Sequence, residues 1–189
     1  MTETWRLVAL AEAGPDLIRS LAECHITCWR EAYRNLVPQH VLDAFDLDRR
    51  TEQWQRTRLR PTGTTVVAVA GPATALGFAS VFPARDNPPA APAELGAMYV
   101  RAAQHGTGVA HDLMRAVLDP GTDTSLWVFE ENPRAQTFYR KYDFELDGTR
   151  KVEEFTLAPQ VRMVRRSVAA VDAVQAARGA DALEEAHEP

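Results

Sequence analysis

The chain has 189 residues, 46% hydrophobic and 25% charged, enough for one well-buried domain and unlike the composition of a disordered polypeptide. Its net charge of −5 gives no global case for nucleic-acid binding, and no apolar run approaches the roughly 18–20 residues that span a bilayer. With only two cysteines, Cys24 and Cys28, and no His/Cys cluster beside them, neither a disulfide framework nor a metal site is indicated, and both thiols are expected in the core.

Met1 to Arg6 lack the basic-then-apolar order of a secretory signal, so a cytoplasmic location is expected. Trp5 to Leu10 reads as a first strand. Gly14-Pro15-Asp16 is a turn that opens a helix, in which Leu17, Leu21, Cys24 and Cys28 mark one buried face and which continues through Trp29 and Tyr33. Pro38 starts a second helical stretch with Val41, Leu42 and Phe45 apolar, interruptible near Asp46 and resuming toward Trp54. Thr64 to Ala70 is a β-branched strand, Gly71-Pro72 a turn, and Ala75 to Phe82 the hairpin partner. Pro83 to Ala93 has no periodicity and is expected to be a mobile loop.

Glu94 to Val100 is the next strand. A glycine-bearing loop leads to a helix from Val109 to about Leu118, and Ser125 to Phe129 is again a strand. Asn132-Pro133 opens a helix ending near Tyr142. Two strands close the fold, from Phe144 toward Phe155 and from Gln160 to Val168. Arg162, Arg165 and Arg166 in the last one read as a solvated strand face, with attraction of cofactor phosphates as the alternative. Residues 169–189, rich in Ala, Glu and Asp, are expected as an exposed helix or disorder outside a domain of residues 1–168. This order predicts an α/β (α+β) domain with antiparallel hairpins beside one parallel crossover.

The most informative segment is Tyr99 to Ala110, a strand that bends through a two-glycine loop straight into a helix. Gly106 and Gly108 permit backbone angles and a close approach that a Cβ forbids. The first N–H groups of a helix lack internal partners, so this bend is a seat for phosphate. Gly-Thr-Gly alone is also ordinary turn punctuation. Downstream, Asn132-Pro133 is a good N-cap with proline at the first helical position, and Tyr139 stands four residues after Ala135, where a core aromatic also fits.

Together these segments resemble the GNAT superfamily of acyl-CoA N-acyltransferases. Its pyrophosphate loop has the form Gln/Arg-x-x-Gly-x-Gly/Ala, matched here by His105, Gly106, Thr107, Gly108, Val109 and Ala110. The chain departs at the first position, where His105 stands in place of Gln or Arg, which leaves the phosphate contacts largely to the backbone. Asn132 to Phe144 resembles the family's second cofactor segment, with Asp143 where glycine is usual; aspartate tolerates a left-handed helix end. Trp29 to Tyr33 followed by Leu36-Val37-Pro38 is similar to the first helices of bacterial members.

The resemblance implies a mostly antiparallel sheet of about seven strands flanked by four helices, and an acetyl-CoA-dependent N-acetyltransferase acting on a primary amine by direct attack in a ternary complex. It implies that Asn132 contacts the pantetheine arm, that Tyr139 protonates the departing thiolate, and that Met98, Tyr99 and Val100 supply backbone donors to the thioester oxygen and the pantetheine amides. The acceptor would be a small-molecule or peptide amine. Most such amines are protonated at neutral pH, so a base is needed. Glu94 is the candidate, against a reading as a solvated strand end; Glu130 and Glu131 read as loop charges, and His105 sits badly for the amine. His25 could face the core or the acceptor cleft. Trp29 and Tyr33 share a helix face and form either sheet packing or an acceptor wall, and Phe155 is a weaker wall candidate. A homodimer through the last strands is one arrangement open to such a chain.

Three other readings compete. The chain could be a non-catalytic acyl-CoA-binding module of the same fold. It could be a phosphate-binding protein of another fold, which would carry a longer glycine fingerprint. As a structural interaction protein, it would make the glycine loop, Asn132 and Tyr139 a coincidence.

Overall fold

The computed structural model describes residues 4–152 and 156–167. Phe155, Val168 and the tail of residues 169–189 lie outside the described residues. Seven strands form one sheet: β1 Trp5–Ala9, β2 Thr64–Ala70, β3 Thr74–Pro83, β4 Ala93–Val100, β5 Thr124–Phe129, β6 Glu145–Val152 and β7 Pro159–Arg165. Their order across the sheet is β1-β2-β3-β4-β5-β7-β6, and every neighbouring pair is antiparallel except β4 and β5. Among the described residues five α-helices accompany it: α1 Pro15–Tyr33, α2 Gln39–Asp43, α3 Leu47–Leu59, α4 Val109–Val117 and α5 Pro133–Arg140. Among the described residues no helix is long and apolar enough to cross a membrane.

The helix count exceeds the expected four because the stretch after Pro38 is divided. Asp46 adopts an extended backbone and its carboxylate accepts from the Arg49 N–H at 2.7 Å, which N-caps a new helix, α3. The first strand ends one residue early, at Ala9, where Leu10–Glu12 form a 3-10 turn.

Alternation along the strands sends side chains to two cores. On one face Leu95, Leu126 and Met163 pack against Val109, Leu113 and Met114 of α4. On the other, Val67, Val69 and Phe78 pack against Leu17, Leu21, Cys24 and Cys28 of α1 and Trp54 of α3. Both thiols are thus core groups, with their sulfurs 3.9 Å apart and not bonded.

Two irregularities open the sheet. In β4, Leu95 pairs with Val81 and Ala97 with Ser80, so Gly96 is left unpaired in a bulge. A Cβ at Gly96 would fall inside the Phe82 ring, so only glycine fits. The parallel strands β4 and β5 pair only at Ala93↔Thr124 and Glu94↔Ser125. Beyond those positions they diverge, and a cleft opens in the middle of the sheet.

Two expectations are corrected here. Arg162 is not on a solvated face: its side chain is only 16% exposed, and it pairs with Asp86 at 3.1 Å and Asp147 at 2.7 Å beside the Trp127 ring. The Pro83 to Ala93 loop is tied down rather than loose. Ala84 N–H donates to the Pro92 carbonyl at 3.0 Å, Arg85 pairs with Glu94, and Asp86 accepts from Trp127 and Arg162. The Asp86 ties join residues more than 40 positions apart, which no local pattern reveals.

Candidate active site

The diverging strands border a cavity of about 960 Å³, at the upper end of the range for small-molecule sites. It runs from the glycine loop at one end to an aromatic wall on α1 at the other.

At the loop end, Gly106 and Gly108 have φ of +81° and +107°, as the sequence requires of positions without a Cβ. Gly108 is the N-cap of α4, and the first i→i−4 bond of that helix is from Asp112 N–H to the Gly108 carbonyl at 3.1 Å. The amides of Val109, Ala110 and His111 precede it and have no intrahelical acceptor. Val109, expected at the site, is fully buried in the α4 core and is not among the residues that line the cavity. Thr107 turns its hydroxyl back to the Gln104 carbonyl at 2.8 Å.

His105 is engaged on both ring nitrogens. Nε2 lies 3.2 Å from the Val100 carbonyl and Nδ1 lies 3.0 Å from Arg134 Nη1. A guanidinium only donates, so Nδ1 accepts from Arg134 and Nε2–H donates to Val100. The cation that the loop lacks at 105 therefore arrives from α5 as Arg134, which sequence reasoning missed. Its position two residues after Asn132 was visible, but the meeting with His105 spans 29 residues.

In the middle, Met98 and Val100 turn toward the α4 core and Tyr99 toward α1. Because β5 has diverged, this edge of β4 is free of strand pairing past Glu94. Tyr139 lines the cavity with its ring between Phe138 and Phe144. Its hydroxyl makes no hydrogen bond to the described residues. Burial, helped by the neighbouring Tyr33, pushes this phenol above its ordinary value, so it stays protonated at neutral pH. Asn132 Oδ1 accepts from Ala135 N–H at 3.2 Å, the N-cap contact, while its Nδ2 has no partner among the described residues. Asp143, where the family pattern has glycine, takes φ +63°.

At the far end Trp29 and Tyr33 stand edge to face with centroids 4.9 Å apart, and Tyr33 meets Phe129 at 4.7 Å. Tyr33 donates to the Tyr99 hydroxyl at 3.3 Å, and burial raises both phenols. Both helix residues therefore line the cavity as well as packing on the sheet. Glu94 reaches the same end, yet it is 3% exposed and both oxygens are engaged, by the Arg85 guanidinium and by the Arg85 N–H at 3.3 Å. It is not a solvated strand end. Gln160, unremarked in the sequence, lines the cavity with a buried Oε1 that has no partner. His25 does not line this cleft; its ring packs among Trp54, Phe78 and Tyr99. Glu130 pairs with Arg150 at 2.7 Å, a structural tie.

Cys28 also lines the cavity, but its hydrogen bond with Cys24 and its burial push the thiol far above its ordinary value. It is a poor nucleophile.

Comparison with known proteins agrees with this geometry. Residues 20–144 match the acetyltransferase (GNAT) family. An uncharacterized N-acetyltransferase of Bacillus subtilis, YuaI, is 27% identical, with 78% of this chain and 90% of the relative covered. The PaiA N-acetyltransferase of Thermoplasma acidophilum, solved with coenzyme A, superposes with a TM-score of 0.62 at 14% identity, covering 86% of this chain and 99% of that one. YncA of Salmonella typhimurium, solved with acetyl-CoA, gives 0.61 at 12% identity, covering 86% and 94%. With its diverging β4 and β5, its bulge at Gly96 and its glycine-capped α4, the chain belongs to the GNAT acetyltransferase family.

Proposed function

We propose that the protein transfers acetyl from acetyl-CoA to a primary amine by direct attack within a ternary complex. The observation that carries this reading is the cleft itself. Unpaired helix amides and Arg134 stand at one end, and a protonated, unbonded Tyr139 hydroxyl stands in the middle.

The site fits acetyl-CoA. The loop amides from Gly106 to Ala110 and the Arg134 guanidinium suit a pyrophosphate, and the free edge of β4 suits an extended amide-bearing arm by strand addition. Asn132 Nδ2 is a spare donor beside that arm. When bound, the cofactor supplies an activated acetyl thioester. Backbone donors of Met98, Tyr99 and Val100 would hold the carbonyl oxygen as it gains charge. Tyr139 would donate to the sulfur; a phenol raised by burial is a weak acid, so it serves chiefly as a hydrogen-bond donor to a charge that is itself desolvated.

Trp29 and Tyr33 would wall the acceptor, and Gln160 Oε1 is an acceptor for amine N–H groups. Glu94 and Glu31 are the two carboxylates lining the cavity among the described residues, and Glu31 is held by Arg101 and the Ala102 N–H. Glu94 is thus the base of this reading, acting once the amine draws it from Arg85. Direct attack is favoured over an acyl-enzyme because Cys28 is a poor nucleophile. A homodimer, if formed, would use the exposed edge strand β6, where Leu146 and Val152 are about half exposed.

Thermal melting of the full chain with acetyl-CoA, CoA, ATP and NAD tests the cofactor, since a ligand of the folded state raises the melting point. A rise with acetyl-CoA and CoA alone is expected. Release of CoA with a panel of polyamines, amino acids, aminoglycosides and peptides then tests transfer. Binding without turnover of any amine would leave only the non-catalytic acyl-CoA-binding module.

A further inference from the structure

On the α1 face of the sheet lies a second cavity of about 610 Å³, distinct from the cleft but sharing Arg85 and Ala97 with its wall. Helix α3 forms one side. Arg50, Gln53, Trp54, Thr57 and Arg58 recur at three- and four-residue spacings and so line the cavity together. Opposite them stand His25 of α1 and the hydroxyls of Thr65 and Ser80, while Leu10 and Phe82 supply apolar surface.

Three lining groups are buried without a hydrogen-bond partner: His25 Nδ1, Trp54 Nε1 and Arg58 Nε. Folded proteins pair nearly all such groups, because each one left alone loses its hydration without replacing it. Indole and guanidinium nitrogens can only donate, so what is missing is an acceptor. The charge has the same sign. The lining holds three arginines and a histidine but no aspartate or glutamate. Two carboxylates of α3 are used elsewhere, Asp48 by Arg19 and Glu52 by Arg56. Burial and the charge of Arg50 hold the His25 imidazole neutral, as a cationic cavity would.

We propose that this second cavity binds an organic anion, a carboxylate carried on an apolar or aromatic body. Its oxygens take the unpartnered N–H groups of Arg58 and Trp54, and its body lies on Leu10 and Phe82. The site is independent of the acetyl-transfer reading, because none of these four residues borders the cleft.

The test is calorimetric titration of the full chain at pH 7.5, with saturating CoA present. The probes are phenylacetate, benzoate and indole-3-acetate, each beside its neutral amide, with phenethylamine as the cationic control. At least one acid is expected to bind one to one and at least tenfold tighter than its amide, with no binding of phenethylamine. Arg58→Gln should weaken that acid at least tenfold while CoA affinity and melting temperature hold. Trp54→Phe, which keeps an aromatic ring, should weaken it as well. No acid binding, acids no tighter than amides, or an unchanged affinity in Arg58→Gln would each overturn the proposal. L-Phenylalanine with acetyl-CoA distinguishes the two sources of such a carboxylate. Acetylation that falls in Arg58→Gln makes the site the acid end of the acceptor, and binding without acetylation makes it a site for a separate ligand.

Discussion

Replacing Gly108 separates backbone strain from charge at the phosphate seat. Gly108 has φ +107° and ψ −17°. An added Cβ would meet only two ring carbons of Trp5, at 3.7 and 3.8 Å, which is ordinary contact. A side chain therefore has room, and its penalty comes from the left-handed backbone instead. For Asn or Asp, which tolerate that region best, the strain is about 1 kcal/mol, or roughly 2–4 °C of melting temperature in a domain of this size. Asp adds a negative charge. At about 5 Å from a phosphate with an effective dielectric constant near 20, repulsion is about 3 kcal/mol, on the order of a hundredfold in Kd. Gly108→Asn and Gly108→Asp should thus melt together, while Asp binds CoA on the order of a hundredfold more weakly than Asn in a calorimetric titration. Equal affinities for the two variants, both near that of the parent, would refute the assignment of this bend as the pyrophosphate seat.

Tyr139→Phe should lower kcat by roughly 10- to 10³-fold with little change in CoA affinity, and because burial keeps the phenol protonated, the pH–rate profile should keep its shape up to about pH 10. A kcat within twofold of the parent would remove Tyr139 from the proton path. Glu94→Gln should lower kcat/KM most at neutral pH, and recovery with amines already deprotonated at the assay pH is the signature of a lost base. Arg134→Gln should weaken CoA binding and reduce its dependence on salt, read from titrations at two ionic strengths. His25 has its pKa lowered from 6.5 to about 3 by burial and by Arg50. Below pH 6.5 the unfolded chain takes up a proton that the folded one refuses, so stability falls by about 1.4 kcal/mol per pH unit down to about 3. From pH 7 to pH 5 this is about 2 kcal/mol, and urea unfolding of His25→Gln should lack that part of the loss.

Much of the fold could be read along the chain because its signals are local. The apolar period of α1, the β-branched run of β2 and the glycines at 106 and 108 each depend on residues a few positions apart, and the structure places an element at each. The split of the second helical stretch was foreshadowed at Asp46, although its count as two helices needed the cap geometry. Where the reading of Arg162 went astray, its partners were remote. Arg162 resembles a solvated strand residue until Asp86, 76 positions away, and Asp147 close over it. For Glu94, of the two readings open in the sequence, the solvated strand end falls because the loop through Pro83 to Ala93 folds Arg85, nine residues back, onto its carboxylate.

By itself, then, the sequence determined the order of elements, the glycine bend and the family pattern of Asn132 and Tyr139, since backbone preference and side-chain period are properties of neighbours in the chain. Only the tertiary structure decided that β4 parts from β5 after Glu94, that Arg134 meets His105 at the glycine bend, and that α3 turns two arginines and a tryptophan into a second cavity. Those facts depend on distances between residues far apart in sequence, and such distances exist only once both cores have closed around the sheet.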